Sequence, residues 1–435
     1  MREFLAEYRD VRHPRNVGLI SLSHGINEFY TLVLPPIIPL LVADLGITYA
    51  QAGFLLTVFF VMYSLFQLPA GLVADRVGKK RVLVLGLLAM AGSLAVASTA
   101  RSYEVLVAAQ ALAGISGSTY HPTGMSLVSD LETETTEGKA MGVFGFGGML
   151  GTAAAPAAVG GLASVFDWRA ALLAAALGGV LVTLAFQVLF RERDAGMDSE
   201  PADGTERSPE PDGGSAGTRP ADGDAGTMAR VRDRLARVVQ FRVTPGVVVL
   251  TAVTLLISLQ LRALHTFATG FLVDGVGQST SAANGAFAVL LAASAVASIW
   301  VGGLADRFDR CRLGAVAAGG TSLLLAATFL LTRVDMPGGL LTTGLLVGAF
   351  GLLGMVLYGC MPVKNALISE YATADSSGSL FGVTQTASAV GSAVGPVLFG
   401  YVATETGIGV AFPLIAAVSL LIGVGFLLLS RVGET

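Results

Sequence analysis

Residues 126–161 read SLVSDLETETTEGKAMGVFGFGGMLGTAAAPAAVGG, and residues 366–401 read ALISEYATADSSGSLFGVTQTASAVGSAVGPVLFGY. The two stretches align without a gap at a separation of 240 residues. That spacing pairs Ser129 with Ser369, Asp130 with Glu370, Gly138 with Gly378 and Gly142 with Gly382. It also pairs Gly151 with Gly391, Pro156 with Pro396 and Gly160 with Gly400. A second echo sets GLVADRVGKKR, from Gly71, against GGLADRFDRCR, from Gly302, each after the second apolar stretch of its half. Glycines and prolines recurring at one spacing are hard to draw from composition, even in a chain with 55 glycines. The sequence reads as a parallel duplication of a six-helix unit, an arrangement that places substrate sites between the halves near the bilayer midplane.

Composition sets the solvent. Of 435 residues, 53% are hydrophobic and 13% charged, and the mean hydropathy is +0.70. Soluble domains carry about 25% charged residues. A helix needs roughly 20 mostly apolar residues to cross the hydrocarbon. Such stretches fall near 17–42, 50–74, 82–100, 103–128, 140–164 and 169–190, then near 245–273, 283–305, 313–332, 339–368, 379–402 and 409–430. The expected fold is an all-α polytopic membrane protein with twelve transmembrane helices in two pseudo-symmetric six-helix bundles. The expected domains are residues 1–191, a cytoplasmic linker at 192–243, and residues 244–435. The first part of the linker is rich in Gly, Pro and acids and reads as disordered, and MARVRDRLARVVQ at 228–240 reads as a short surface helix.

Basic residues predict orientation. One set of loops holds Arg2, Arg9, Arg12 and Arg15, then Arg76, Lys79, Lys80 and Arg81, the linker arginines, and Arg307, Arg310 and Arg312; the other holds Arg101, Arg169 and Arg333. The positive-inside bias puts both termini and the linker in the cytoplasm of a cell inner or plasma membrane. The charged N-terminus runs into a long span without a cleavage-site pattern, which argues against a removed signal peptide. Cys311 and Cys360 make neither a disulfide framework nor a zinc spacing. No metal cluster, nucleotide loop or nucleophile–base constellation is visible, so neither an enzyme nor a cofactor or metal is expected. The basic clusters sit where topology requires them, which leaves nucleic-acid binding without support.

Gly71-Leu-Val-Ala-Asp75-Arg76-Val-Gly78-Lys79-Lys80 resembles the loop between spans two and three of the major facilitator superfamily. The copy at Gly302–Arg312 has Asp309 where the glycine belongs. The resemblance implies a conformational latch between the halves, formed by Gly71, Asp75, Arg76, Gly78 and Lys79 and by Asp306 and Arg307. Within that superfamily, His24-Gly-Ile-Asn27-Glu28 in span one and Tyr120-His121-Pro122 in span four resemble the fosmidomycin-resistance-type branch, with Glu28 in place of that branch's aspartate. Gln110 stands before Gly114 where drug antiporters carry an arginine. Gly142, Gly151 and Pro156 form a loose antiporter-like pattern, with Ala155 where a glycine is usual, and Gly391, Gly395 and Pro396 follow in span eleven. These serve helix packing and bending at least as readily as ion coupling.

Charged groups inside spans are rare and mark pathways. His24, Asn27 and Glu28 share a broad helix face. At 1.5 Å per residue, Glu28 lies roughly 16 Å into its span and His121 roughly 13 Å from the end of its own, so His24, Glu28 and His121 meet at similar depth if spans one and four line one cavity. The duplication pairs His121 with Met361 while Pro122 and Pro362 match, which points to substrate chemistry on one side only. Arg262 and His265 add a cation and an imidazole in span seven; Tyr30 and Tyr358 complete the expected substrate and proton pathway. Two plainer readings stay open: His24 and Glu28 as a satisfied internal pair, and His121 bonded to a carbonyl freed by its proline. Arg262 stays charged and must find an anion, a carbonyl or water.

The sequence therefore predicts a secondary transporter that exports a small anionic or polar molecule in exchange for protons, Glu28 carrying the proton and Arg262 holding the substrate. Coupled import of a metabolite is the alternative, and a sensor that kept the fold is a third. The expected partners are the substrate, protons and the lipid bilayer, with one chain functional as a monomer.

Overall fold

The computed structural model describes residues 11–191, 244–305, 307–331, 339–372 and 377–432. The latch residue Asp306, the surface helix expected at 228–240, and Arg2, Arg9 and Arg333 lie outside the described residues. The first half comprises α1 (Pro14–Thr31), α2 (Ile38–Leu45), α3 (Tyr49–Val77), α4 (Lys79–Ser98), α5 (Tyr103–Gly117), α6 (Tyr120–Leu131), α7 (Glu137–Val165) and α8 (Trp168–Leu189). The second comprises α9 (Pro245–Gly270), α10 (Thr280–Ala305), α11 (Arg310–Leu331), α12 (Leu340–Leu357), α13 (Cys360–Tyr371), α14 (Ser377–Thr406) and α15 (Ile408–Val432). Eleven helical stretches among the described residues are long and apolar enough to span a bilayer. The remaining crossing, α5 with α6, is the more polar one, carrying Gln110, Ser116, Ser118 and Thr119. The result is a twelve-crossing, all-helical fold in two six-helix bundles.

Prolines set the breaks. Pro35 and Pro36 lack the N–H that would continue α1, so span one passes through a 3₁₀ turn, Pro35–Ile37, before α2. Span four breaks at Ser118–Thr119, ahead of His121-Pro122, and span ten at Tyr358–Gly359, ahead of Met361-Pro362. The two breaks are 240 residues apart, so the duplication extends to a shared interruption. Pro156 and Pro396 sit inside helices that continue past them.

Close helix approach explains two of the repeated glycine pairs, Gly151 with Gly391 and Gly160 with Gly400. A Cβ on Gly151 would strike the Gly25 carbonyl, and one on Gly147 the Ser21 backbone, so α7 lies directly on α1. The repeat-mate Gly391 meets the Leu255 carbonyl in the same way, laying α14 on α9. Gly142, from the same loose pattern, has open space around its Cβ position. Gly151→Ala is therefore expected to destabilise the protein by about 1–3 kcal/mol, the usual penalty of overpacking, whereas Gly142→Ala is tolerated. Thermal unfolding of the two purified variants checks this, and equal melting temperatures would refute it.

One end of the molecule carries the Gly71–Arg81 loop together with residues 191 and 244; we call it the linker end. There Gly78 takes φ 106° between α3 and α4, a conformation that L side chains avoid. Lys79 pairs with Asp130 at 2.5 Å, and Arg310 with Glu370 at 2.8 Å. These are the same loop-to-span bridge in each half, contained within that half. Asp75 and Arg76 are exposed, and neither has a described partner across the halves. Both bridges are well exposed, so each contributes about 0–1 kcal/mol. Asp130→Asn is expected to move the melting temperature by no more than a few degrees, and a collapse of the fold would contradict that assignment.

The halves meet toward the opposite end. Tyr49 donates its hydroxyl to Asp274, Ala50 N–H bonds Thr404 at 2.9 Å, and the Asn284 amide donates to the Pro36 carbonyl at 3.0 Å. Thr57 reaches the Ala393 carbonyl at 2.5 Å nearer the middle. Gly53 lies against the Pro396 carbonyl, which brings α3 onto α14.

Candidate functional site

Glu28, on α1, faces the middle of the molecule, where two cavities adjoin. Its Oε1 lies 3.3 Å from His121 Nε2 on α6 and 3.7 Å from His24 Nε2 one turn back on α1. The Asn27 amide donates to the same oxygen at 3.1 Å. The break between α5 and α6 delivers His121 to this point, so its ring reaches Glu28 and not a backbone carbonyl. His24 is fixed more tightly. Its Nδ1 lies 2.8 Å from the Phe144 carbonyl, which can only accept, so Nδ1 carries the hydrogen. The ring stacks on Phe144 at 3.9 Å and on Tyr120 at 5.4 Å, and Gly148 leaves it room where a side chain would collide. In the neutral ring Nε2 is then a buried lone pair without a hydrogen-bond partner. Two acceptors, this nitrogen and a carboxylate oxygen, face one another, and a cation between them satisfies both.

The first cavity, about 240 Å³, is lined by His24, Glu28, His121, Met149, Thr152 and Tyr358 among others. The second, about 370 Å³, shares Glu28 and His121 and adds Phe60, Tyr63, Ser64, Gln67 and Arg262. The two are related by the duplication. Gly145, Gly148, Met149 and Thr152 of α7 line the first, and their mates at a spacing of 240, Gln385, Ser388, Ala389 and Ser392 of α14, line the second. Glycines on one side answer polar side chains on the other. Gln67, Gln385 and Thr386 carry the second cavity toward the linker end.

Arg262 projects from α9 into this second cavity. Its guanidinium lies 4.4 Å from the centre of the Phe60 ring and has no carboxylate partner among the described residues. A cation–π contact of this kind contributes about 0.5–2 kcal/mol and leaves the five donors of the fork available. The arrangement suits an anion: a fixed cation, a wall of hydroxyls and amides, and a titratable trio across the cavity.

Other expected pathway residues lie elsewhere. Tyr30 donates to the Ala175 and Ala176 carbonyls of α8 at 3.2 and 3.4 Å, away from both cavities. Two residues turn a helix by about 200°, so a neighbour of Glu28 in sequence faces the other way. Gln110 is buried in α5 and lines neither cavity. His265 is buried among its own half, 6.2 Å from the Tyr358 ring and 5.9 Å from Phe287, with both ring nitrogens unpartnered. The residues that sequence reasoning missed are Phe60, Tyr63, Ser64 and Gln67, with Gln385, Ser388 and Ser392. Their spacing of three, four and seven was the available signal.

The family model described as Major Facilitator Superfamily matches residues 20–351 and 250–434. The chain belongs to the major facilitator superfamily. Members bind small molecules and sit in a lipid bilayer, and this member is a multi-pass membrane protein with a transporter's fold. The fold is shared with a bacterial homolog of the human lysosomal transporter Spinster, in an inward-facing and occupied conformation. The TM-score is 0.76 and the identity 16%, over 95% of this chain and 96% of that one. Among curated relatives, the probable L-galactonate transporter of Escherichia coli K12 is 26% identical over 35% of this chain and 33% of its own length. The puromycin resistance protein pur8 of Streptomyces alboniger is 30% identical over 37% of this chain and 32% of its length. The fosmidomycin resistance protein of Escherichia coli K12 is 29% identical over 32% and 34%. The matched stretches span about a third of the length of these relatives.

Proposed function

We propose that this superfamily member is a secondary active transporter that exports a small anionic or polar molecule in exchange for protons. The observation that carries the reading is Arg262, a cation without a carboxylate partner among the described residues, in the same cavity as Glu28 and His121. In this reading Arg262 holds the substrate anion and Glu28 receives the proton, with His24 and His121 completing its seat. Substrate and proton then bias the two conformations differently, which coupling requires. The cavity's extension toward the linker end, with hydrogen bonds joining the halves at the other, fits an inward-facing state whose linker end is cytoplasmic. Both termini then face the cytoplasm of the inner or plasma membrane. The bundles are assigned to residues 1–191 and 244–435, joined by 192–243, and one chain supplies both walls of the pathway. Asp75, Arg76 and Arg307 are assigned to the latch that would engage when the linker end closes.

Two curated relatives are named for resistance to small toxic molecules, which supports export. A second reading, coupled import of a metabolite, is favoured by the relative named for L-galactonate, itself a carboxylate. Cells expressing the parent or an equally abundant Glu28→Gln variant, challenged with toxic anions including phosphonates, separate the two. Protection by the parent alone supports export; a parent that sensitises cells or takes up labelled sugar acids reverses the direction.

A further inference from the structure

We propose that His24, Glu28 and His121 form a binding site for a divalent transition-metal ion, zinc-like in preference, with its open coordination position facing the first cavity. The proposal does not depend on protons being carried, because it rests on where three donor atoms lie. One ligand atom from each residue falls within 4.8 Å of the others. Zinc binds imidazole nitrogen and carboxylate oxygen at about 2.0–2.2 Å, which sets the edge of a tetrahedral site at about 3.3–3.6 Å. The two edges that meet at Glu28 Oε1 measure 3.3 and 3.7 Å. The third, between the two imidazoles, lies within 4.8 Å, and its closure requires a shift of the His121 ring, whose side chain is 35% exposed.

Three further features match what such sites require. The His24 Nδ1–H bond to the Phe144 carbonyl fixes the tautomer that turns the Nε2 lone pair toward Glu28, the usual outer support of a metal-bound imidazole. That Nε2 is buried and has no hydrogen-bond partner among the described residues. Asn27 holds the carboxylate oxygen from the side. Two neutral imidazoles and one carboxylate are also the donor set that favours zinc and its first-row neighbours over magnesium and calcium, which prefer oxygen. Three protein ligands leave the fourth position open to the cavity that Met149, Thr152, Ser294 and Tyr358 line, within reach of water or an anionic oxygen. The separation of 93 positions between Glu28 and His121 hid the site from sequence, since no local ligand spacing joins them.

The test uses the purified full chain in detergent, without a histidine tag, titrated with cobalt(II), zinc or magnesium chloride. Cobalt is expected to give the visible absorption of a four-coordinate site at one equivalent, and zinc to displace it; magnesium leaves it unchanged. His24→Gln and His121→Gln are each expected to weaken binding at least about tenfold, while His265→Gln binds as the parent does. No four-coordinate spectrum in the parent would overturn the proposal without recourse to any variant. So would binding that survives His24→Gln or is lost in His265→Gln. Transport is not measured, so a failure here leaves the proton-coupled reading standing, and a failure of that reading leaves this one.

Discussion

In proteoliposomes with a pH difference of one unit, parent protein is expected to sustain about a tenfold substrate ratio across the membrane. Glu28→Gln is expected to sustain none. The figure follows from the exchange itself: one proton moving down one unit supplies about 1.4 kcal/mol, which is tenfold in concentration. Glutamine keeps the shape of the side chain and can still bond His121 and Asn27, but it takes no proton at neutral pH. The variant should therefore exchange labelled for unlabelled substrate at a measurable rate while failing to accumulate it. That split separates a coupling residue from a structural one, because loss of packing would abolish exchange as well. Accumulation by Glu28→Gln at the parent's level would remove Glu28 from the mechanism.

The meeting of Glu28 with both histidines was legible because depth in a membrane helix can be counted from its end. The duplication did more. It related the two halves to one another, and it held without announcing them the paired breaks at Ser118 and Tyr358 and the correspondence between Lys79–Asp130 and Arg310–Glu370. It also contained the relation between the α7 and α14 walls of the cavities. What escaped was the lining contributed by α3 and α14. Hydroxyls and single amides are common inside membrane helices, where they bond their own backbone, as Thr386 does with Gly382. Ser64 or Ser388 alone therefore does not announce a cavity; only the stripe does. Tyr30 and His265 lie close in sequence to a charged residue, and Gln110 stands at a motif position where relatives carry one. Helical rotation turned the first toward α8, and close packing buried the other two among neighbours of their own half.

Arg262 should show opposite effects on binding and on stability. Replacing it with glutamine removes the fixed cation from the second cavity, and a charge-assisted hydrogen bond to an anion contributes about 1.5–3 kcal/mol. Substrate affinity is then expected to fall about 10- to 150-fold, with Arg262→Lys intermediate because it keeps the charge and loses the planar fork. Substrate-free Arg262→Gln, however, is expected to melt higher than the parent. An arginine within a span costs about 2.5–3.5 kcal/mol on insertion scales; Arg262 has no carboxylate partner among the described residues, and its contact with Phe60 recovers only part of that. A residue retained for folding would lose stability on removal; a residue retained for an absent anion gains it. Saturating substrate should reverse the order, stabilising the parent more than the variant. Measured together, the melting temperatures with and without substrate decide the role of Arg262. A variant that melts lower in both conditions would make the guanidinium a structural element and leave the anion site to be sought elsewhere in the cavity.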